Sequence, residues 1–414
     1  MSAPAILSPV LALIFAKMTA IYNTRIDKRQ RDFLSELFRV VFALQGRINF
    51  TNMARFSVLH EQTFRRHFAC AFDWVAFNLV VLRLRAHPEE PLIGVFDTSF
   101  LPKSGKKTYG LDKFFSSTAK ATRTGLEVSL LGVIATTSRR TFALDATQTP
   151  PDLSIGEPTQ DGSSRYSRID FYLEQITDCL ARLPQVNYFV GDGYYAKRKV
   201  FDTLASRGKH LVTKLRSDAN LRFLAEPHER ASGGRPRRYA GKVRFSGFGE
   251  VQSRFSEKGA LSDLPHVRIY TALVNSEHLK RDLRLVVLHN ERDGSYVVLC
   301  STDLNQPAEE VVTFYRLRYQ LEFVIRDAKQ FAGLVHCQAR DQEKLDFHLN
   351  MSMAAVNLGR LVSHRASISL GSYVREAYNT FLVGRLLSEL SLGAEFRISH
   401  PRIQEVIQTG RLAA

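Results

Sequence analysis

"LIGVFDTSF" (residues 92–100) is a short apolar run that closes on an acid. Runs of this length, set off by Pro91, are the kind that buried strands use. "NYFVGDGYY" (187–195) repeats the pattern nearly a hundred residues later, so Asp97 and Asp192 are each expected at the C-terminal end of an apolar strand. Open α/β sheets place their ligands at such ends. Between the two, "LEVSLLGVIATT" and "RRTFALDATQT" read as strands joined by a turn at Ser138 to Arg140, and a helical stretch runs from Arg165 to Leu183. A basic helix (Ala196 to Ser206) and the strand "HLVTKLR" follow. Strands first in succession and then alternating with helices describe an α/β sheet of mixed direction.

Outward from this block the period changes on both sides. Residues 1–88 are helical in pattern. Within them "FTNMARFSVLHEQTFRRHFACAFDW" (50–74) spells a short helix, a turn through Ser57 to His60, and a second helix offering Gln62, Arg65 and Arg66. That spacing suits a helix-turn-helix with its second helix in a DNA groove, and equally an ordinary helical hairpin with a solvated basic face. The apolar N-terminus, "MSAPAILSPVLALIFAK", has no basic segment before it and meets Lys17 too early to span a bilayer; it reads as a buried helix, with no membrane partner. Residues 216–304 form a β-rich section in which "GGRPRRYAGKVRF" is a basic loop and "DLRLVVLHNERDGSYVVLCSTD" a hairpin turning at Asp293-Gly294. A long helix then begins after "LNQP", with Asn305 as cap and Pro307 in its first turn.

On that helix "YRLRYQLEFVIRDAK" (315–329) decides the chemistry. With Tyr315 at zero on a helical wheel, the apolar residues fall between about 160° and 280°, whereas Arg318, Glu322 and Lys329 fall at about 300°, 340° and 320°. These three and Tyr315 form a stripe along the margin of the buried face. An Arg–Glu pair four apart is ordinary on a helix; a tyrosine and a lysine in the same arc are not explained by it. Together with Asp97 and Asp192, Glu322 completes a set of hard oxygen donors suited to two Mg²⁺ or Mn²⁺ ions about 4 Å apart, the requirement of two-metal phosphoryl transfer. The bases and the tyrosine are placed to hold phosphates.

The charge agrees. Lys and Arg number 57 against 41 Asp and Glu, a formal net charge of +16, which favours polyanions. The basic loop "KSGKKT" (103–108) lacks the glycine and the hydroxyl residue of a phosphate-binding Walker loop, and Lys103, Lys106 and Lys107 read either as a basic loop over DNA or as a hairpin tip. Arg235, Arg237, Arg238, Lys242 and Arg244 are candidates to follow a DNA backbone. Cys70, Cys179, Cys300 and Cys337 are far apart, without zinc spacing, and read as reduced, mostly buried thiols; His348 and His364 read as structural.

The spacing Tyr315-x2-Arg318-x3-Glu322-x6-Lys329 resembles the Tyr-Arg-Glu-Lys signature of bacterial insertion-sequence transposases with a DDE active site, of the insertion sequence four type. "GVFDTSF" and "VGDGYY" resemble the strands that carry that family's two aspartates, and the likeness covers roughly residues 50–365. It implies an α/β fold with a ribonuclease H-like core and a β-rich insertion, between helical N-terminal and C-terminal regions. The expected division is 1–88 (DNA-binding), 89–215 (first part of the core), 216–304 (insertion), 305–365 (second part of the core) and 366–414. The implied activity is cleavage at the transposon ends and joining of the 3′-hydroxyl to target DNA. Asp97, Asp192 and Glu322 would be catalytic and hold two Mg²⁺ or Mn²⁺ ions, and Tyr315, Arg318 and Lys329 would position phosphates. Partners would be double-stranded DNA, as terminal inverted repeats and target, and a second copy in a synaptic homodimer, in the bacterial cytoplasm at the nucleoid. A domesticated relative that binds ends without cutting is the alternative. One departure stands out: members of the family stack an insertion tryptophan on a flipped base, but the sole tryptophan here is Trp74, which leaves Tyr270, Tyr296 or Phe255 for that task.

Overall fold

The computed structural model describes residues 3–151, 166–225, 237–245, 252–390 and 397–412. Five helices come first: α1 (Leu7–Tyr22), α2 (Lys28–Ala43), α3 (Phe50–Arg55), α4 (Glu61–His67) and α5 (Trp74–Arg85). Lys17 does not end the first of them. Pro4–Tyr22 is long and apolar enough, by length and composition, to cross a membrane. Leu7, Val10, Leu11, Ile14, Phe15 and Met18 on it are nevertheless buried, and the helix packs on α5.

The sheet begins with β1 (Leu92–Pro102), β2 (Asp112–Ser116), β3 (Ala121–Ala135) and β4 (Arg140–Gln148). After α6 (Arg168–Leu180) come β5 (Tyr188–Val190), α7 (Arg198–Ala205) and β6 (His210–Lys214). β1 pairs antiparallel with β3, β3 antiparallel with β4, and β1 parallel with β5, which is parallel to β6. The central order is thus β4-β3-β1-β5-β6, with β2 extending the β3 hairpin. From Gly125 to Ala135 every residue of β3 is buried, because helices cover both faces of the sheet there.

The section after residue 216 does not form a separate sheet. β7 (Leu221–Leu224), β8 (Tyr239–Lys242), β9 (Ser256–Leu261), β10 (Leu264–Ser276), β11 (Arg281–Asn290) and β12 (Tyr296–Ser301) continue the first one, since β12 pairs antiparallel with β6. The β11–β12 hairpin turns at Asp293-Gly294 as its sequence predicts, with Gly294 at φ +70°.

The long helix is two helices. α8 (Ala308–Leu317) is capped at Pro307 and not at Asn305, whose own N–H goes to Asp303 (2.9 Å). α9 (Gln320–Phe331) follows after a tightened turn in which Arg318 N–H bonds Tyr315 O and Leu321 N–H bonds Arg318 O. The chain ends in α10 (Gln342–Arg365), α11 (Leu370–Glu389) and α12 (Pro401–Ile407).

α9 and α10 lie on the face of β1, β3 and β4 opposite α6. Gly132 on β3 makes room for them: a Cβ there would stand 2.9 Å from Phe142 O and 3.3 Å from both Leu321 and Val95. α10 is keyed to β4 by two buried asparagines. Asn357 exchanges both its amide groups with the backbone of Ala143 (2.7 and 3.2 Å), and Asn350 does the same with Ala146 (2.8 and 3.0 Å). A bulge at Leu144 in the β3–β4 register turns both of these backbone units outward, and Leu144 O itself accepts from Asn78.

Candidate active site

Asp97 lies inside β1, not at its end, because β1 runs five residues further along β3 than the sequence suggests. What does end is its other neighbour. Val95 pairs with Val190, the last residue of β5. Asp97 and Asp192 each stand two residues beyond that pair, Asp97 still within β1 and Asp192 just past the end of β5, close enough for the charge of one to act on the other. Asp192 is held in this place locally. Its Oδ1 accepts the N–H of Tyr194 (2.9 Å), starting a short 3₁₀ turn, and its carbonyl accepts from Thr213 (2.8 Å).

The third carboxylate arrives on α9. Arg318, in the turn between α8 and α9, donates from one terminal nitrogen to Asp97 Oδ2 (2.8 Å) and from the other to Glu322 Oε1 (3.1 Å). The side chains of Asp97 and Arg318 are 19% and 16% exposed, whereas Glu322 is 40% exposed. The Tyr315 ring lies 6.0 Å from the same guanidinium. Lys329 reaches Ser99, two residues along β1 from Asp97, at 3.5 Å, and burial holds its ammonium below the usual lysine range. The stripe read from the wheel therefore faces the strand that carries Asp97.

Burial dominates the electrostatics. Desolvation pushes the Asp97 carboxyl up to about 6; Arg318 opposes this, and the charges of Asp192 and Glu322 add to it. Tyr195, fully buried behind the two aspartates against Phe96, is raised well above an ordinary tyrosine, first by desolvation and then by Asp97. Three acids against one guanidinium leave the site net negative, and its donors are all carboxylate oxygens, the chemistry that hard divalent cations take. On that charge and donor set the residues fit such cations. They do not stand as a closed cage: among the described residues no three His, Cys, Asp or Glu groups are at metal-holding distance, and Arg318 separates Asp97 from Glu322.

A stability test follows from the raised carboxyl. Between about pH 4 and 6 the folded state keeps a proton on Asp97 that the unfolded chain has released, so stability contributed by this group falls as pH rises through that window. In chelator at pH 7, Asp97→Asn is expected to be more stable than the wild type by roughly 3 kcal/mol at most, the advantage vanishing by about pH 4. Denaturant unfolding of both proteins across that range measures it, and a difference independent of pH would refute the assignment.

Two positioning residues escaped the sequence reading. Arg360 on α10 donates to Asp327 on α9 (2.6 Å), both largely buried. Since α10 is itself keyed to β4, this pair fixes α9, and with it Glu322, to the sheet. The only hint in sequence was an acid near the apolar face of α9.

Other expected contacts fare unevenly. Gln62 and Arg66 on α4 are exposed, while Arg65 pairs with Glu61 (2.5 Å) and lies over the Phe50 ring. Lys106 and Lys107 are exposed; Lys103 instead donates to the carbonyls of Cys337 and Ala339 (3.2 Å to the latter), pinning the loop after α9. Arg235 lies outside the described residues. Arg237, Arg238, Lys242 and Arg244 are exposed, but on and beside β8, which pairs with β7, and not on a loose loop. Tyr270 and Phe255 are 4% and 7% exposed, and a face of Tyr296 is taken by Phe245, so these rings are poor platforms for a base. Trp74 is buried among phenylalanines. Of the thiols, Cys179 and Cys300 are buried, Cys337 is partly so and Cys70 is exposed. His348 is buried, with Nε2 against Gly333 O (2.8 Å).

Comparison with known proteins gives one family. A model described as "DDE superfamily endonuclease" matches residues 24–270. No curated protein matches the chain. Among solved structures, endonuclease V of Ciona intestinalis, in complex with a 24mer DNA containing an inosine followed by a ribo-adenosine, is 12% identical. The match covers 61% of this chain and 96% of that one at a TM-score of 0.29, too low to establish shared topology.

Proposed function

The chain belongs to the DDE superfamily of endonucleases, and on that premise we propose that it is a DNA transposase of the insertion-sequence type. It would cut at the ends of its own element and join the freed 3′-hydroxyl to target DNA. The observation that carries this reading is the placement of Asp97 and Asp192 two residues beyond the last pair of the parallel strands β1 and β5, with Glu322 brought alongside by Arg318. The order β4-β3-β1-β5-β6, three antiparallel strands and then two parallel ones, supports a ribonuclease H-like core. The β-rich strands of residues 216–304 would be its insertion, and residues 1–88 its DNA-binding region.

Asp97, Asp192 and Glu322 would hold two Mg²⁺ or Mn²⁺ ions, which when bound activate the attacking oxygen and steady the leaving one. The chain's own residues then have separate tasks. Arg318 holds Asp97 and Glu322 in register. Glu322, 40% exposed against 19% for Asp97, has the freedom to adjust its carboxylate. Lys329 presents an ammonium beside Ser99 for a backbone phosphate, with Tyr315 flanking the guanidinium. Water and then a DNA hydroxyl serve as nucleophiles, so the protein forms no covalent link to DNA. Joining two ends calls for a dimer, working on the nucleoid in the bacterial cytoplasm. A second reading, a protein that binds ends without cutting, is favoured by the guanidinium between Asp97 and Glu322.

Incubation with DNA carrying the ends of the encoding element, followed by sequencing of products, tests these. With Mg²⁺ or Mn²⁺ we expect nicks at the ends and joined 3′-hydroxyls, with Ca²⁺ binding alone, and in chelator neither. Cleavage without joining would reduce the protein to an endonuclease. Intact DNA in every metal would leave the silent reading.

A further inference from the structure

A cavity of about 1000 Å³ opens between the N-terminal helices and the far end of β1. Its lining carries Arg47, Arg65, Lys103, Arg340 and Lys344 against a single carboxylate, Asp341. The five cations come from separate parts of the chain: the segment before α3, α4, the residue after β1, and the α9–α10 connection with the start of α10. Three are engaged within the protein. Lys344 pairs with Asp341 (2.5 Å), Arg65 with Glu61 (2.5 Å), and Lys103 with two carbonyls. Arg47 and Arg340 are exposed and have no carboxylate partner among the described residues. Their charge reaches their neighbours. Beyond the effect of burial, Arg340 holds the Lys103 ammonium down, and Arg47 adds to burial and His348 in lowering His336. Cations crowded into one hollow repel one another until an anion enters it.

The hollow also lies on a line with the candidate active site. Along β1, Arg318 meets Asp97, Lys329 meets Ser99, and Lys103 follows Pro102, all on the route from the carboxylates to the cavity. Five residue steps along the strand separate Asp97 from Pro102, about 17 Å. Duplex DNA advances 3.4 Å per step along each strand, so the same distance is about five base-pair steps. A small free anion would need one converging set of donors; cations spread across an open hollow and along a strand suit a chain of phosphates.

We propose that this cavity seats backbone phosphates of duplex DNA about five base-pair steps from the bond cut beside Asp97, with Arg47 and Arg340 as the principal contacts. The inference rests on the endonuclease reading above and adds to it a second anchoring point that joins the N-terminal helices to the core through the DNA.

The test uses the full chain in chelator, a fluorescent 30-base-pair duplex, and anisotropy between 50 and 200 mM salt. Arg47→Gln/Arg340→Gln is expected to weaken binding at least tenfold and to flatten the log K against log salt slope by about 1.8, at roughly 0.9 per lost contact. Its thermal midpoint should match the wild type. The control Arg385→Gln/Arg402→Gln, on α11 and α12, should leave the slope within about 0.5 of wild type. In the wild type, a methylphosphonate about five steps from the cut should weaken binding, and in the double variant it should have no further effect. A wild type that binds DNA while the double variant keeps its slope overturns the cavity alone. A larger loss for duplex RNA or polyglutamate than for DNA overturns the choice of ligand. A wild type without salt-dependent affinity for any duplex overturns the endonuclease reading, and the cavity with it.

Discussion

Alanine at Asp97, Asp192 or Glu322 is expected to lower DNA cleavage on the order of a thousandfold or more while leaving duplex affinity within about threefold of wild type. On the proposed mechanism each change would remove an oxygen donor for the activating cations, and none would remove a cationic phosphate contact. The three variants should nevertheless differ in stability. Asp97→Ala deletes a largely buried carboxylate that burial disfavours in spite of Arg318, whereas Glu322 is 40% exposed and its loss should hardly register. Cleavage rates, duplex binding and unfolding measured on the same preparations separate the roles. A variant that still cuts at a tenth of the wild-type rate would remove its residue from the site.

Arg318→Ala is expected to cost on the order of a hundredfold in rate, the penalty of displacing a reacting group by about 1 Å. Arg318 touches both Asp97 and Glu322, and it is the cation that most opposes the upward push on the Asp97 carboxyl. Without it that carboxyl should titrate higher still, so the acidic limb of the pH–rate profile should move to higher pH. A surface ion pair would behave otherwise, costing less than about 1 kcal/mol of stability and leaving both rate and pH profile alone. Lys329→Ala, whose native Nζ meets only Ser99 among the described residues, should slow cleavage without moving that limb.

Much of this site was legible in the chain, and the parts that were not have a common cause. Apolar runs located the strand that bears Asp97 and the one that ends two residues before Asp192, and the helical wheel put Arg318, Glu322 and Lys329 on one edge, because both patterns are local. That β1 continues past Asp97 depends on its pairing with β3 as far as Gly125, which the local pattern of β1 does not encode. The break at Arg318 was hidden because both halves of the helix keep the same apolar phase. β2 escaped because "DKFFS" is short and only its register with β3 makes it a strand. The role of Asp327 is not local, because its partner Arg360 lies 33 positions away. That Lys103 also pins two carbonyls of the loop after α9 depends on residues more than 230 positions away, which its own basic stretch does not encode.

The asparagines that fasten α10 to β4 have a consequence for how this molecule meets other copies of itself. Asn350 and Asn357 are seven residues apart, a helical rise of about 10.5 Å. Ala143 and Ala146, the backbone units they bind, span at most about 10 Å of strand. The two periods coincide over this interval, so a helix presents amide groups where a neighbouring strand would present its peptides. Among the described residues β4 pairs with no strand on that side. Its exposed margin is thereby occupied, and a second chain cannot lengthen the sheet there by adding a strand. In the proposed assembly of two copies on DNA, strand addition at β4 is therefore closed, which leaves this margin of the sheet as a monomer's own.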